Sequence, residues 1–136
     1  MTKKTVNVVA AAIFDNENKI FCALRAENMS LPNYWEFPGG KIEQGEQPEE
    51  ALKREIEEEL TCIINVGKHI HTHLHEYEAV NVNLAVYEAS IESGTIVLKE
   101  HAEGKWLPIP DLKALNWAPA DIPAIHKIIE HHHKED

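Results

Sequence analysis

Trp35–Cys62, WEFPGGKIEQGEQPEEALKREIEEELTC, decides how this chain is read. Gly39 and Gly40 mark a tight turn, and Pro48 suits the first turn of a helix, where its missing N–H forfeits no bond. Helix-forming residues then run to Leu60. Ala51, Leu52, Ile56 and Leu60 follow the helical period closely enough to form an apolar stripe that packs on a sheet. Glu55, Glu58 and Glu59 stand at i, i+3 and i+4, so their carboxylates share a different side. Three like charges on one side repel unless something neutralises them. Glu57 lies off this triad and reads as an ordinary surface glutamate.

Gly40, Glu46, Arg54, Glu55, Ile56, Glu58 and Glu59 occupy the places of G-x5-E-x7-R-E-U-x-E-E-x-G-U, with U aliphatic. The stretch therefore resembles the Nudix box, a pyrophosphohydrolase signature, and the preceding WEFPGGK narrows the resemblance to the MutT-like subgroup. Two positions depart from the pattern: Thr61 replaces a glycine and Cys62 an aliphatic residue. A left-handed backbone at Thr61 would strain its β-branched side chain, whereas Cys62 is a small buried substitute. The resemblance implies an α/β chain folded as an α/β/α sandwich with a central mixed sheet. It also implies attack at the β-phosphorus of a free nucleoside triphosphate, giving a monophosphate and pyrophosphate.

That chemistry needs positive charge beside the phosphates. Mg2+ takes hard oxygen ligands in octahedral geometry, which Glu55, Glu58 and Glu59 supply, and Mn2+ suits the same donors. The resemblance adds the Gly39 carbonyl as a ligand. It also likens KEHAEGKW to a loop carrying a further metal-associated acid, which makes Glu100 the assigned residue and Glu103 its competitor. The general base is open among Glu58, Glu59 and the later acid. Arg54 can form a fork-shaped pair with Glu46 and hold the glycine turn against the helix.

At 136 residues and 43% hydrophobic content, residues 1–130 are expected to form one domain, with 131–136 as a loose end. The formal charge of −10 disfavours a nucleic-acid polymer as partner but not a triphosphate carried with a divalent ion. Cys22 and Cys62 have no zinc-ligand spacing, which together with the lack of a dense disulfide pattern fits a cytoplasmic protein. The start MTKKTVNVVAAAIF reads as a first strand rather than a signal peptide, and no segment approaches membrane-spanning length. The oligomeric state is left open.

Val6 to Phe14 and Ile20 to Leu24 read as a hairpin around DNENK. Arg25, just after it, is either a surface arginine or a phosphate contact. Ala26 to Tyr34 is a loop, and Trp35 and Phe37 are core aromatics. Ile63 to Val66, Lys68 to His75, Asn81 to Tyr87 and, briefly, Thr95 to Leu98 are extended. In the second of these, His69, His71, His73 and His75 share one face. That face reads as solvated or groove-lining in preference to a metal site, with His71 and His73 as candidates for the base pocket.

The pattern Ile122, Ile125, Ile128 and Ile129 predicts a terminal amphipathic helix. Asp121 before it is either its N-cap or a base contact. WAPADIPAI resembles the family's base-recognition region and its CTP pyrophosphohydrolase branch. An ionised Asp121 only accepts hydrogen bonds, which suits the C4 amino group of cytosine and not the O6 of guanine. The first expectation is thus hydrolysis of CTP, dCTP or a modified cytosine nucleotide. The alternative is 8-oxo-dGTP or another damaged purine triphosphate. A nucleotide-binding regulator with weak turnover is the third reading, disfavoured by the intact acidic triad.

Overall fold

The computed structural model describes residues 3–134. Strand β1 (Thr5–Ile13) lies at the centre, because a run of small and β-branched residues can be buried on both faces. It pairs antiparallel with β4 (Gly39–Lys41) and parallel with β6 (Asn81–Ser93), which in turn pairs with β5 (Ile63–Glu76). The resulting order is β4-β1-β6-β5. A second antiparallel sheet has the order β3-β2-β7, from Trp35–Glu36, Lys19–Leu24 and Glu103–Pro108.

Helices α1 (Pro48–Leu60) and α2 (Ile122–Lys134) cover opposite faces of this mixed β layer, an α/β/α sandwich. Alternation along β1 and β2 divides the core. Val9, Ala11, Ile13, Phe21 and Ala23 pack with Ala51, Leu52, Ile56 and Leu60 of α1. Ala10, Ala12, Ile20 and Cys22 pack with Ala124, Ile125 and Ile128 of α2. The stripe expected on α1 is therefore its buried face. On α2, Ile122 stays 38% exposed and falls outside the stripe.

Three expectations change. The first two strands do not form a regular hairpin: Asp15 Oδ1 accepts the N–H groups of Glu17 and Lys19, one bridge joins Phe14 to Ile20, and the strands then enter different sheets. The segments expected after α1 are one strand, β5, with register shifts around Gly67 and Ile70. These bulges direct Ile64 and Val66 toward the α1 core, and place His71, His73 and His75 opposite Val86, Leu84 and Val82 on the α2 side. Finally, Thr95–Leu98 is not a strand; its Val97 N–H donates to the Leu60 carbonyl and closes the end of α1.

The end expected to be loose is helical backbone as far as Lys134, and 135–136 lie outside the described residues. Among the described residues no helix is long and apolar enough to cross a membrane.

Candidate active site

The glycine turn is shaped by close approach. A side chain at Gly39 would meet the Val9 carbonyl at 1.9 Å, and one at Gly40 would meet the Glu55 carboxyl carbon at 2.3 Å. Gly40 thus leaves the room that Glu55 occupies. Helix α1 begins behind this turn with Pro48 in its first turn and Glu50 accepting the Gln47 N–H at 3.2 Å. It ends at Thr61, whose φ of 60° is left-handed, the conformation that strains a β-branched residue.

Arg54 ties the turn to the helix. Its Nε and Nη2 donate to the two Glu46 oxygens at 2.7 and 2.9 Å, and Nη2 also reaches the Lys41 carbonyl at 3.1 Å. The Arg54 bonds hold Glu46 well below the usual carboxylate range, at about 2. By its position on the helix, Arg54 leaves the backbone in a different direction from Glu55. Its long side chain instead curls back, and Nη1 donates to Glu55 at 2.9 Å and Glu58 at 3.3 Å.

Glu59 behaves differently from its two neighbours. Its Oε2 is buried with no hydrogen-bond partner. Burial, reinforced by the charges of Glu55, Glu36, Glu100 and Glu58, pushes its carboxyl up to about 8. An orphaned buried oxygen among four acids fits a cation as its missing partner. With Arg54 occupying Glu55 and Glu58, no three His, Cys, Asp or Glu groups already surround one point among the described residues. Glu100, on the loop before β7, is one of the charges acting on Glu59. Glu103 instead begins β7, 3.8 Å from Lys105.

A cleft of about 780 Å3 runs from Gly39, Gly40 and Glu59 to Asp121, past Tyr77 and Phe37. Asp121 is buried, and its Oδ2 accepts the Phe37 N–H at 3.0 Å. Burial first, and then the charge of Glu36, push its carboxyl up to about 8, against the opposing effects of the Phe37 bond and Arg25. The reason for this placement lies in the backbone: Trp35 bridges Trp117 and exchanges bonds with Asn116 and Ala118, drawing the start of α2 against β3. Asp121 closes a short 3-10 turn, Pro119–Asp121, and its carboxylate engages Phe37 rather than the first turn of α2.

Other expected residues are placed less simply. Arg25 lines the cleft, but Nε donates to the Ser30 carbonyl at 2.5 Å, Nη2 to Ser30 Oγ at 3.0 Å and Nη1 to Glu36 at 2.6 Å. A phosphate would have to compete with these bonds. His71 and His73 are not among the residues lining the cleft; they belong to a ladder of rings from His71 through His75 to Tyr77. Only Tyr77, at its end, reaches the cleft, where its hydroxyl accepts the Ala120 N–H at 3.0 Å. Burial and Lys127 lower the pKa of His71.

Glu36, Tyr77 and His101 were not singled out from sequence. Parity was the available signal for two of them: Glu36 alternates with the buried aromatics Trp35 and Phe37, and Tyr77 continues the odd-numbered histidine face. Nothing local marks His101.

Residues 3–128 match the NUDIX domain, and the chain belongs to that family of metal-dependent nucleoside triphosphate pyrophosphohydrolases. Within it, the similarity runs to MutT-like proteins. The chain is 32% identical over 133 residues to the 8-oxo-dGTP diphosphatase of Haemophilus influenzae, covering 98% of each. It is 33% identical over 117 residues to the CTP pyrophosphohydrolase of Escherichia coli, covering 86% of this chain and 87% of that one. A MutT structure from methicillin-resistant Staphylococcus aureus superposes with a TM-score of 0.78 at 49% identity, over 96% of this chain and 99% of the other.

Proposed function

We propose that the chain converts an oxopurine nucleoside triphosphate such as 8-oxo-dGTP to its monophosphate and pyrophosphate, with Mg2+ as the ion and Mn2+ able to replace it. The observation that supports the base assignment is Asp121, buried in the cleft with Oδ2 already accepting the Phe37 N–H. With its pKa raised to about 8, the group is mostly a carboxylic acid at pH 7. A neutral acid donates an O–H, and a guanine-type base offers the O6 acceptor. This reverses the preference expected from sequence, which took Asp121 to be ionised.

The ion would be held by Glu55, Glu58 and Glu59, with Glu100 and the Gly39 carbonyl as further donors. Bound there, a divalent ion supplies Lewis-acid charge at the phosphoryl oxygens. Arg54 takes one oxygen of Glu55 and one of Glu58 and leaves the other of each for the ion, while its two bonds to Glu46 keep the glycine turn on the helix. The proton released by the attacking water goes to Glu58, Glu59 or Glu100.

Cytosine nucleotides are the second reading, favoured by the Escherichia coli relative named CTP pyrophosphohydrolase and by the ionised form of Asp121 above pH 8. The deciding experiment measures pyrophosphate release from 8-oxo-dGTP, dGTP, CTP and dCTP with Mg2+ between pH 6.5 and 9. The expected result is pyrophosphate as product and an 8-oxo-dGTP to CTP turnover ratio that falls as pH rises through about 8. Release of orthophosphate alone, or no turnover of any nucleotide by folded protein, would sink the hydrolase assignment. A ratio that does not change with pH would sink the role given to Asp121.

A further inference from the structure

The loop carrying Glu100 is fastened immediately beyond it. Ala102 donates its N–H to the Leu24 carbonyl at 2.9 Å. His101, with only 2% of its side chain exposed, lies with Nε2 2.8 Å from Glu36 Oε2. A carboxylate only accepts, so Nε2 carries the proton and donates it. Glu36 is held in turn: its Oε1 takes Arg25 Nη1 at 2.6 Å, and its backbone pairs with Ala23 of β2. The pair joins segments 65 residues apart. Glu100 itself is exposed, so its position depends on how the loop is anchored. Both Glu36 and Glu100 are close enough to act on Glu59, which puts the pair beside the acidic face.

We infer that the Glu36–His101 hydrogen bond is a positioning latch that sets Glu100 against the metal face of α1. The inference rests on the reading of Glu100 as a cation donor made above. His101 is a positioning residue: it touches neither phosphate nor ion, and acts by fixing the backbone of its neighbour. Partners that orient a metal ligand typically change affinity or turnover by about 10- to 100-fold when removed. An amide one methylene longer can replace Nε2–H as donor, and a shorter one cannot reach.

The test compares His101→Asn with His101→Gln, reading Mn2+ affinity by calorimetry without substrate, melting temperature, kcat and KM. In His101→Asn, Mn2+ affinity falls about 10-fold and kcat about 10- to 100-fold, with KM little changed. His101→Gln stays within about threefold of the unaltered protein. In a Glu100→Gln background the same His101→Asn change has less than about a twofold effect, because the residue it positions has already lost its charge.

Folded His101→Asn with unaltered Mn2+ affinity and kcat would overturn the latch. So would a loss of equal size in the Glu100→Gln background, or failure of His101→Gln to rescue. Should His101→Asn not fold, His101→Leu, which fills the buried site with an apolar side chain and removes the donor while leaving Glu36 paired with Arg25, is read by the same criteria. If Glu100→Gln leaves Mn2+ affinity intact while Glu58→Gln abolishes it, the latch is overturned and the hydrolase reading still stands.

Discussion

The two ends of the cleft differ in how far along the chain their parts must travel. At the acidic end, Glu46, Arg54, Glu55 and Glu58 are joined by bonds spanning no more than 8 residues. At the base end, the Phe37–Asp121 bond spans 84 residues and the Tyr77–Ala120 bond spans 43. The first is organised by one turn and one helix. The second exists only once β3, β5 and the start of α2 have packed together. On the proposed function, the chemistry common to all nucleoside triphosphates would sit mainly on a locally encoded element, with Glu100 added from the loop before β7, and discrimination among bases on a long-range one.

If that division holds, the largest effect comes from breaking the acidic end. Glu58→Gln should lower turnover roughly 10²- to 10³-fold for every nucleotide alike, measured as pyrophosphate release, with Mn2+ affinity lost in parallel. A base-dependent loss would show that the two ends are not separate.

Asp121→Asn sharpens the contrast. Asn still accepts the Phe37 N–H, but it donates at every pH. The 8-oxo-dGTP to CTP ratio should become flat between pH 6.5 and 9, with a base-selective change of about 10-fold at the upper end. An equal change for all bases would assign Asp121 to folding rather than recognition.

A smaller effect concerns stability. Glu59 and Asp121 both have folded-state pKa values near 8, far above their unfolded values. The folded state therefore binds more protons than the unfolded one between about pH 4 and 8. Their contribution is full below the unfolded pKa values and is lost as pH rises through about 8. Without divalent ions, the melting temperature should fall by at least about 3 °C from pH 5 to 8. Mn2+ should recover more of that loss in the unaltered protein than in Glu59→Gln.

The smallest effect lies where the box departs from its pattern. Thr61→Gly relieves a left-handed φ of 60° but gives up the Thr61 hydroxyl bond to the Thr95 carbonyl at 3.2 Å. The net gain should be about 1 kcal/mol, or roughly 3 °C in melting temperature, with turnover unchanged. Loss of stability would mean that the hydroxyl bond outweighs the backbone strain.

Residue spacing was enough to place the buried stripe of α1, the Glu46–Arg54 fork and the acidic face, because helical geometry converts sequence offsets into directions. The same spacing could not show that Arg54 folds back over Glu55 and Glu58, since a long flexible side chain is not bound by the direction of its Cα–Cβ bond. Alternation identified Trp35 and Phe37 as core but passed over Glu36, the charged residue between them. Of the four histidines read as one face of a strand, His71, His73 and His75 share it, while the register shift after His69 turns that ring to the other face, against Thr72 and Tyr87. Val82 and Leu84, opposite His75 and His73, line the cleft, yet of the ladder only Tyr77 at its end enters it.

By itself, the sequence determined a glycine turn and an amphipathic helix with an acidic face, because these follow from local periodicity and charge spacing. The resemblance of that stretch to the Nudix box implied the α/β fold and the pyrophosphohydrolase chemistry. The tertiary structure decided which members of the acidic face are paired and which is orphaned, and it decided the state of Asp121. A carboxyl group is ionised at neutral pH in water. Only the burial and the nearby Glu36 charge created by folding raise its pKa to about 8.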